Sequence, residues 1–200
     1  YEMMDFFRKN SSKQNISLCL IDSSLISYEK CNNLIDIPLP IYQKMFPNTE
    51  EYLTIERSYI RKGNRKGVGN GLVIMEYGEK IKITKKYSQI YSISEQENYI
   101  QLVLLGQGKY FPKAFLVNLS KDELKFIDDL LIFDSFVDAG DIQIKLGCFT
   151  QDSETMKVWD IHNSKTKSNW ELADTVQINY KINPNGKFIK LSEDLISIKK

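Results

Sequence analysis

The segment IRKGNRKGVGNG, residues 60–71, holds the densest group of side chains suited to anion chemistry. Arg61, Lys62, Arg65 and Lys66 place four positive charges within six residues, and Gly67, Gly69 and Gly71 follow them. Glycines let backbone N–H groups converge on a phosphate while basic side chains neutralise it. Arg61, Lys62, Arg65, Lys66, Gly67 and Gly69 therefore form a candidate anion site. The spacing matches neither a P-loop nor the dinucleotide fingerprint, because Gly71 leads into Leu72 and a predicted strand instead of a helix. The plainer alternative is a solvated loop between two strands. If the segment is a site, contact with an acidic partner or a phosphate surface is favoured over catalysis.

A second group is acidic: Asp128, Asp129, Asp134, Asp138 and Asp141, around DSFVDAGD. Calcium takes six to eight hard oxygen ligands, and loop carboxylates supply them. The spacing does not fit an EF-hand, and no bidentate Glu closes the loop. Asp134, Asp138 and Asp141 are the ligands of choice if a metal binds; the expectation is a solvated loop with no metal and no cofactor. His162 is the single histidine. Its DIHNS context lacks a nucleophile elbow, and no C-x-x-C pair exists to complete a zinc site, so a structural place in a turn after TMKVWDI is expected. Trp159 and Trp170 flank the polar HNSKTKSN. Trp159 alternates with Val158 and Ile161 as a core residue would, whereas Trp170 is the candidate for stacking on a sugar or peptide. Of the three cysteines, Cys19, Cys31 and Cys148, Cys19 and Cys31 can pair across a loop. The plainer reading leaves Cys19 and Cys148 as small buried apolar residues in strands.

The elements that must hold these residues are strands. Tyr, Phe and Ile are abundant and Ala is scarce, which favours pleated, half-buried surfaces. Two hundred residues suit one domain. The net charge of +1 lacks the basic excess of a nucleic-acid binder. No apolar run reaches the ~18 residues of a transmembrane helix, and the chain starts at Tyr1, so a lipid anchor upstream is compatible with it. YEMMDFFRKN fits a helical turn or an extended segment, KQNISLCLIDSS alternates as a strand, and Pro38, Pro40 and Pro47 favour extended backbone. From residue 51 about ten short strands follow. A hairpin is expected around Tyr77-Gly78-Glu79-Lys80, another around SEQEN, and a third around NPNG at 183–186.

KAFLVNLSKDELKFIDDLLIF, residues 113–133, is ambiguous. Ser120 and Glu123 fit a capping box, and Leu124, Ile127 and Leu131 share a helical face. Such a helix would be apolar almost all round and would bury Lys125, Asp128 and Asp129. A hairpin with its turn at Lys121-Asp122-Glu123, and either core on both sides of the second strand or a bulge at Asp128-Asp129, is preferred.

Phe115-Leu116-Val117, Phe126-Ile127-Asp128, the run Gly147 to Asp152, Tyr180-Lys181-Ile182 and Asn185-Gly186-Lys187-Phe188 together resemble a pattern in small secreted or lipid-anchored, β-rich proteins of Bacteroidetes. The resemblance covers roughly the last 115 residues and departs where Asp122-Glu123-Leu124 lacks the usual turn glycine. It implies an exported, mostly β, non-enzymatic protein. The expected fold is all-β or β-dominated: one antiparallel meander forming a barrel, sandwich or curved sheet, with a short N-terminal helical or extended segment. The expected function is non-catalytic binding of a protein or small-molecule ligand in the cell envelope or periplasm. The alternatives are a cytoplasmic immunity- or antitoxin-type protein that blocks a partner, and a hydrolase with an acidic site.

Overall fold

The structure, a computed structural model, describes residues 2–11, 34–48, 53–62, 76–106, 112–138, 141–149, 155–165 and 170–196. Two short helices, α1 (Glu2–Asn10) and α2 (Leu39–Met45), precede ten strands. These are β1 (Leu53–Lys62), β2 (Glu76–Lys85), β3 (Gln89–Glu95), β4 (Tyr99–Gly106), β5 (Lys113–Ser120), β6 (Phe126–Asp138), β7 (Asp141–Phe149), β8 (Thr155–Lys165), β9 (Trp170–Ile182) and β10 (Phe188–Leu195). β1 and β2 form a two-stranded sheet. β3 to β10 form an eight-stranded antiparallel meander in chain order, open because β3 and β10 do not pair. The β-dominated expectation is the fold observed, in its curved-sheet form.

β4 and β5 are buried on both faces, which explains the unbroken apolar run YIQLVLLG. On one face Ile100, Leu102, Leu104, Val117 and Leu119 meet the helices. In α1, Met3 and Phe7 are one helical turn apart and both buried; Glu2 and Asp5 in its first turn and Arg8 and Lys9 in its last complement the helix dipole. Arg8 donates to Glu95 at 2.9 Å and holds α1 beside β3. α2 docks through rings: Tyr42 and Phe46 lie 4.7 Å apart, Phe46 stacks on Tyr87 at 5.0 Å, and Tyr87 meets Phe115 edge-on at 5.2 Å. The Tyr87 hydroxyl donates to Asp129 at 2.8 Å, and Lys86 reaches the same carboxylate oxygen at 2.7 Å.

On the opposite face Val103, Leu105, Ala114, Leu116 and Ile132 join Met156, Val158 and Ile182 from the far end of the same sheet. The meander therefore coils back over itself, and polar bonds, buried at Asn118 and exposed at Asn98, fix it there. Asn118 on β5 donates from Nδ2 to the Gly186 carbonyl at 2.7 Å and accepts from Gln101 Nε2 at 3.3 Å. Asp128 Oδ2 accepts from the Phe188 amide at 2.9 Å, and Asn98 donates to the Pro184 carbonyl at 3.3 Å. The docked turn is NPNG, built by Asn183 Oδ1 accepting from the amides of Asn185 and Lys187 and by Gly186 at φ 81, a conformation that costs other residues strain.

Residues 113–133 form the hairpin. Leu119 pairs with Phe126 and Ala114 with Phe133. Ser120 still acts as a local cap: its carbonyl accepts from the Leu124 amide and its hydroxyl from the Lys125 amide. Leu124 sits at φ 56, where a glycine would be unstrained. The register shifts fall at Ile127 and Ile132, flanking Asp128 and Asp129 on either side.

Five expectations are corrected. The proline segment forms α2 over Leu39–Met45, because Pro40 sits in the first helical turn, where its missing N–H is no loss. β2 runs straight through Gly78 and Glu79 opposite Ile60 and Tyr59, so no hairpin turns there; β1 is its partner. Asp128, Asp129 and Asp134 lie inside β6 and not on a loop. His162 lies within β8, opposite Gln143 and Asp174, since pairing on both sides carries the strand on to Lys165. Cys148 is disulfide-bonded, not a free buried thiol; Cys19, Cys31 and the expected strand over KQNISLCLIDSS lie outside the described residues.

Two tests follow. A Cβ on Gly106 would stand 2.2 Å from the Lys86 carbonyl oxygen, a backbone atom that cannot rotate away. Gly106→Ala should therefore lower unfolding free energy by about 1–3 kcal/mol, read by urea denaturation. Asn118→Ala leaves the Gly186 carbonyl and Gln101 amide without their partner and should cost about 1–3 kcal/mol. It should also speed hydrogen exchange at 183–188 while β4 stays protected; uniform loss across the sheet would refute a local tie.

Candidate interaction surface on the last three strands

The sheet has two edges, and they are treated differently. β3 is overlaid at its start: Asp36 bridges to Gln89, the Ile37 amide donates to the Ser88 carbonyl at 2.7 Å, and Gln89 Nε2 donates to the Leu34 carbonyl at 3.4 Å. β10, at the other end, pairs only with β9 among the described strands. It presents Ile189, Leu191 and Leu195 to solvent at 46, 56 and 65 % exposure, and Ile196 follows at 39 %. Seven large apolar residues are exposed among the described ones, and four of them lie on β10 or directly after it. An unpaired strand edge with apolar side chains is a template for another chain.

Local sequence explains the exposure. Lys190 pairs with Tyr180 and Ser192 with Asn179, which leaves Leu191 as an extra residue in a bulge. The bulge turns Lys190 and Glu193 toward each other, and they form an ion pair. It also interrupts the alternation that would have directed one set of apolar residues inward.

A polar row supports the edge from behind. Trp159 on β8 donates from Nε1 to Gln177 Oε1 at 3.1 Å, and Gln177 donates to Asn179 Oδ1 at 3.2 Å. Asn179 then donates to the Ser192 hydroxyl at 2.7 Å, and Ser192 to Asp194 Oδ2 at 3.2 Å. All four bonds run the same way and end on a carboxylate, so each polarises the next. Trp159 is half-buried and tied to β9 through its ring nitrogen rather than sunk in the core as expected. The effect is to hold Ser192 and Asp194 in fixed positions on β10.

The opposite face of β8 carries Asp160, which accepts from Gln143 at 2.9 Å and pairs with Lys145 at 3.2 Å and His162 Nε2 at 3.4 Å. Its three partners leave this carboxylate fully engaged, and no serine, threonine or cysteine joins His162 in these contacts. An open cleft of about 590 Å³ lies among Glu2, Lys44, Asp122, Leu124 and Lys125. Its charges are mixed, and Lys125 is already paired with Glu123.

The residues singled out from sequence are dispersed. Arg61 and Lys62 end β1, opposite Tyr77 and Glu76; Arg65, Lys66, Gly67 and Gly69 lie outside the described residues. Trp170 is the first residue of β9, opposite Lys165, with its side chain outside the described set. Asp138 and Asp141 are paired backbone positions of β6 and β7. Asp134 is four residues back along β6, about 13 Å at strand rise, and is paired with Lys113 at 2.8 Å. Among the described residues no cluster of three or more His, Cys, Asp or Glu side chains could hold a metal. Sequence reasoning missed β10 as a surface. Its signal was FIKLSEDL itself, where apolar residues at 188, 189, 191 and 195 break period two. Compared with known proteins, the chain matches no family model, no curated protein and no solved structure.

Proposed function

We propose that the chain is a non-catalytic, exported binding protein that takes its partner on the β10 edge. The observation that carries this is the contrast between edges: β3 is overlaid at its start by residues 34–37, whereas β10 offers Ile189, Leu191 and Leu195 beside a backbone edge that no described strand pairs. Strand addition uses these features, with main-chain hydrogen bonds giving affinity and alternate side chains giving selectivity. Support for export comes from the Cys148 disulfide, since such bonds persist in oxidising compartments and are rare in the cytosol. The same bond weighs against a cytosolic immunity protein.

Export is checked by thiol titration. With three cysteines and Cys148 in a disulfide, the folded protein made in an oxidising compartment should release one free thiol. Reduction should destabilise it by about 2–4 kcal/mol. Three titratable thiols in an equally stable protein would sink the export reading.

The edge is checked by panning short random peptides displayed on phage against the chain immobilised at low density. Selected peptides should be extended and alternately apolar. Leu191→Lys or Leu195→Lys should weaken their binding about tenfold, the ~1.4 kcal/mol that a well-covered apolar side chain supplies. Peptides indifferent to both changes, or no enrichment, count against it.

A further inference from the structure

We infer that the occupant of the β10 edge is β10 of a second copy of the chain, paired antiparallel about a two-fold axis between Leu191 and Ser192. This rests on the reading of β10 as the binding edge and names its partner. Charge is the first ground. The strand and the residue before it are basic in their first half, with Lys187 and Lys190, and acidic in their second, with Glu193 and Asp194. An antiparallel copy sets basic half against acidic half at both ends, whereas a parallel copy would set like against like. With the axis between Leu191 and Ser192, Lys190 falls opposite Glu193 of the second copy, and symmetry repeats the pair. Opposite charges directly across a strand pair are stabilising, and like charges there are not.

The second ground is the bulge. Residues directly opposite in an antiparallel pair must share a sheet face. In a regular eight-residue strand, a two-fold axis between the fourth and fifth residues would oppose side chains from different faces, and no such pairing forms. Here the extra residue Leu191 resets the alternation. Phe188, Lys190, Glu193 and Leu195 pair with Ile182, Tyr180, Ile178 and Val176 on one face; Ile189, Ser192 and Asp194 pair with Lys181, Asn179 and Gln177 on the other. About the proposed axis, Phe188 meets Leu195 and Lys190 meets Glu193 on the first face, and Ile189 meets Asp194 on the second. These three opposed pairs match in face, and Leu191 falls opposite Ser192 of the second copy at the centre. The bulge that disturbs pairing with β9 is what makes self-pairing about this axis geometrically allowed.

Apolar area is the third ground. Leu191 and Leu195 are more than half exposed, and the pairing sets Leu195 against Phe188 at each end and Leu191 beside the axis. Such an interface is isologous and closes, joining two open meanders into one continuous sheet.

Sedimentation velocity over a concentration series tests this. The parent chain should show a dimer fraction that rises with concentration. Lys190→Glu alone, and Glu193→Lys alone, should each weaken association at least about tenfold, because each turns two attractive pairs repulsive. The double swap should restore association to within about threefold of the parent, since it re-forms both pairs reversed. Both side chains are about half exposed in the monomer, so the fold tolerates the changes; circular dichroism and urea midpoints serve as the control. A parent that stays monomeric throughout, single variants that dimerise as the parent does, or a double swap that does not recover would each overturn the inference. If association fails while peptides still select the edge through Leu191 and Leu195, the second copy is wrong and the binding edge stands. If neither depends on those residues, the edge itself is wrong.

Discussion

The fold depends on one constraint: β4 and β5 carry apolar side chains on both faces, and a single open sheet leaves one face wet. α1, α2 and their rings cover one side. The sheet's own far end covers the other, with Met156, Val158 and Ile182 laid against Val103, Leu105 and Leu116 and with Leu34 packed against them. Each such side chain is worth about 1.5–3 kcal/mol when buried, so coiling recovers far more than it costs in curvature. Hydrophobic contact has no direction, however. Direction comes from Asn118, Gln101 and Asp128, whose buried hydrogen bonds accept one placement of the 183–188 turn and leave unpaired polar groups in any other.

That solution creates the free edge. The turn is anchored, and Phe188 beside it is partly buried in the second core. Beyond it the apolar side chains of β10 are exposed, from 46 % at Ile189 to 65 % at Leu195, with Ser192 between them half-buried. Pairing β10 with β3 would have closed a barrel and removed both edges. The backbone of residues 36–37 already meets β3 at Ser88 and Gln89, so closure is blocked where it would begin. The coil and the open edge follow from the same packing.

Much of this was legible in the sequence, and the failures have identifiable physical causes. The 113–133 hairpin could be chosen over a helix because a helix would have buried Lys125, Asp128 and Asp129, and the NPNG turn could be read from Pro184 and Gly186 alone. Gly78 was misleading as a turn signal, because the cost of Gly within a strand is small beside ten paired residues. Pro40 was misleading because proline breaks helices only in their interior. The disulfide at Cys148 and the tie from Asn118 were invisible for another reason. Both depend on partners far along the chain, Gly186 being 68 residues from Asn118, and no local pattern encodes such a distance. Edge status is the same kind of fact. A strand is terminal only in relation to all the others, so FIKLSEDL could be read as a strand but not as a surface.

What remains is why β10 has the side chains it has. Ile189, Leu191 and Leu195 leave about half or more of their surface in water in the monomer, so stability of the single chain accounts for them only in part. Strand propensity does not supply the rest, since Thr or Tyr would serve an exposed strand as well. Free edges are commonly guarded by lysine, proline or an inward charge that resists approach. Here the available charges, Lys190 and Glu193, neutralise each other across the bulge, and the hydrogen-bonded row from Trp159 reaches Ser192 of this strand. An edge that is apolar, internally neutralised and braced from behind fits the proposed role of a surface for another strand. Its polarity, basic then acidic, is the complement of itself reversed.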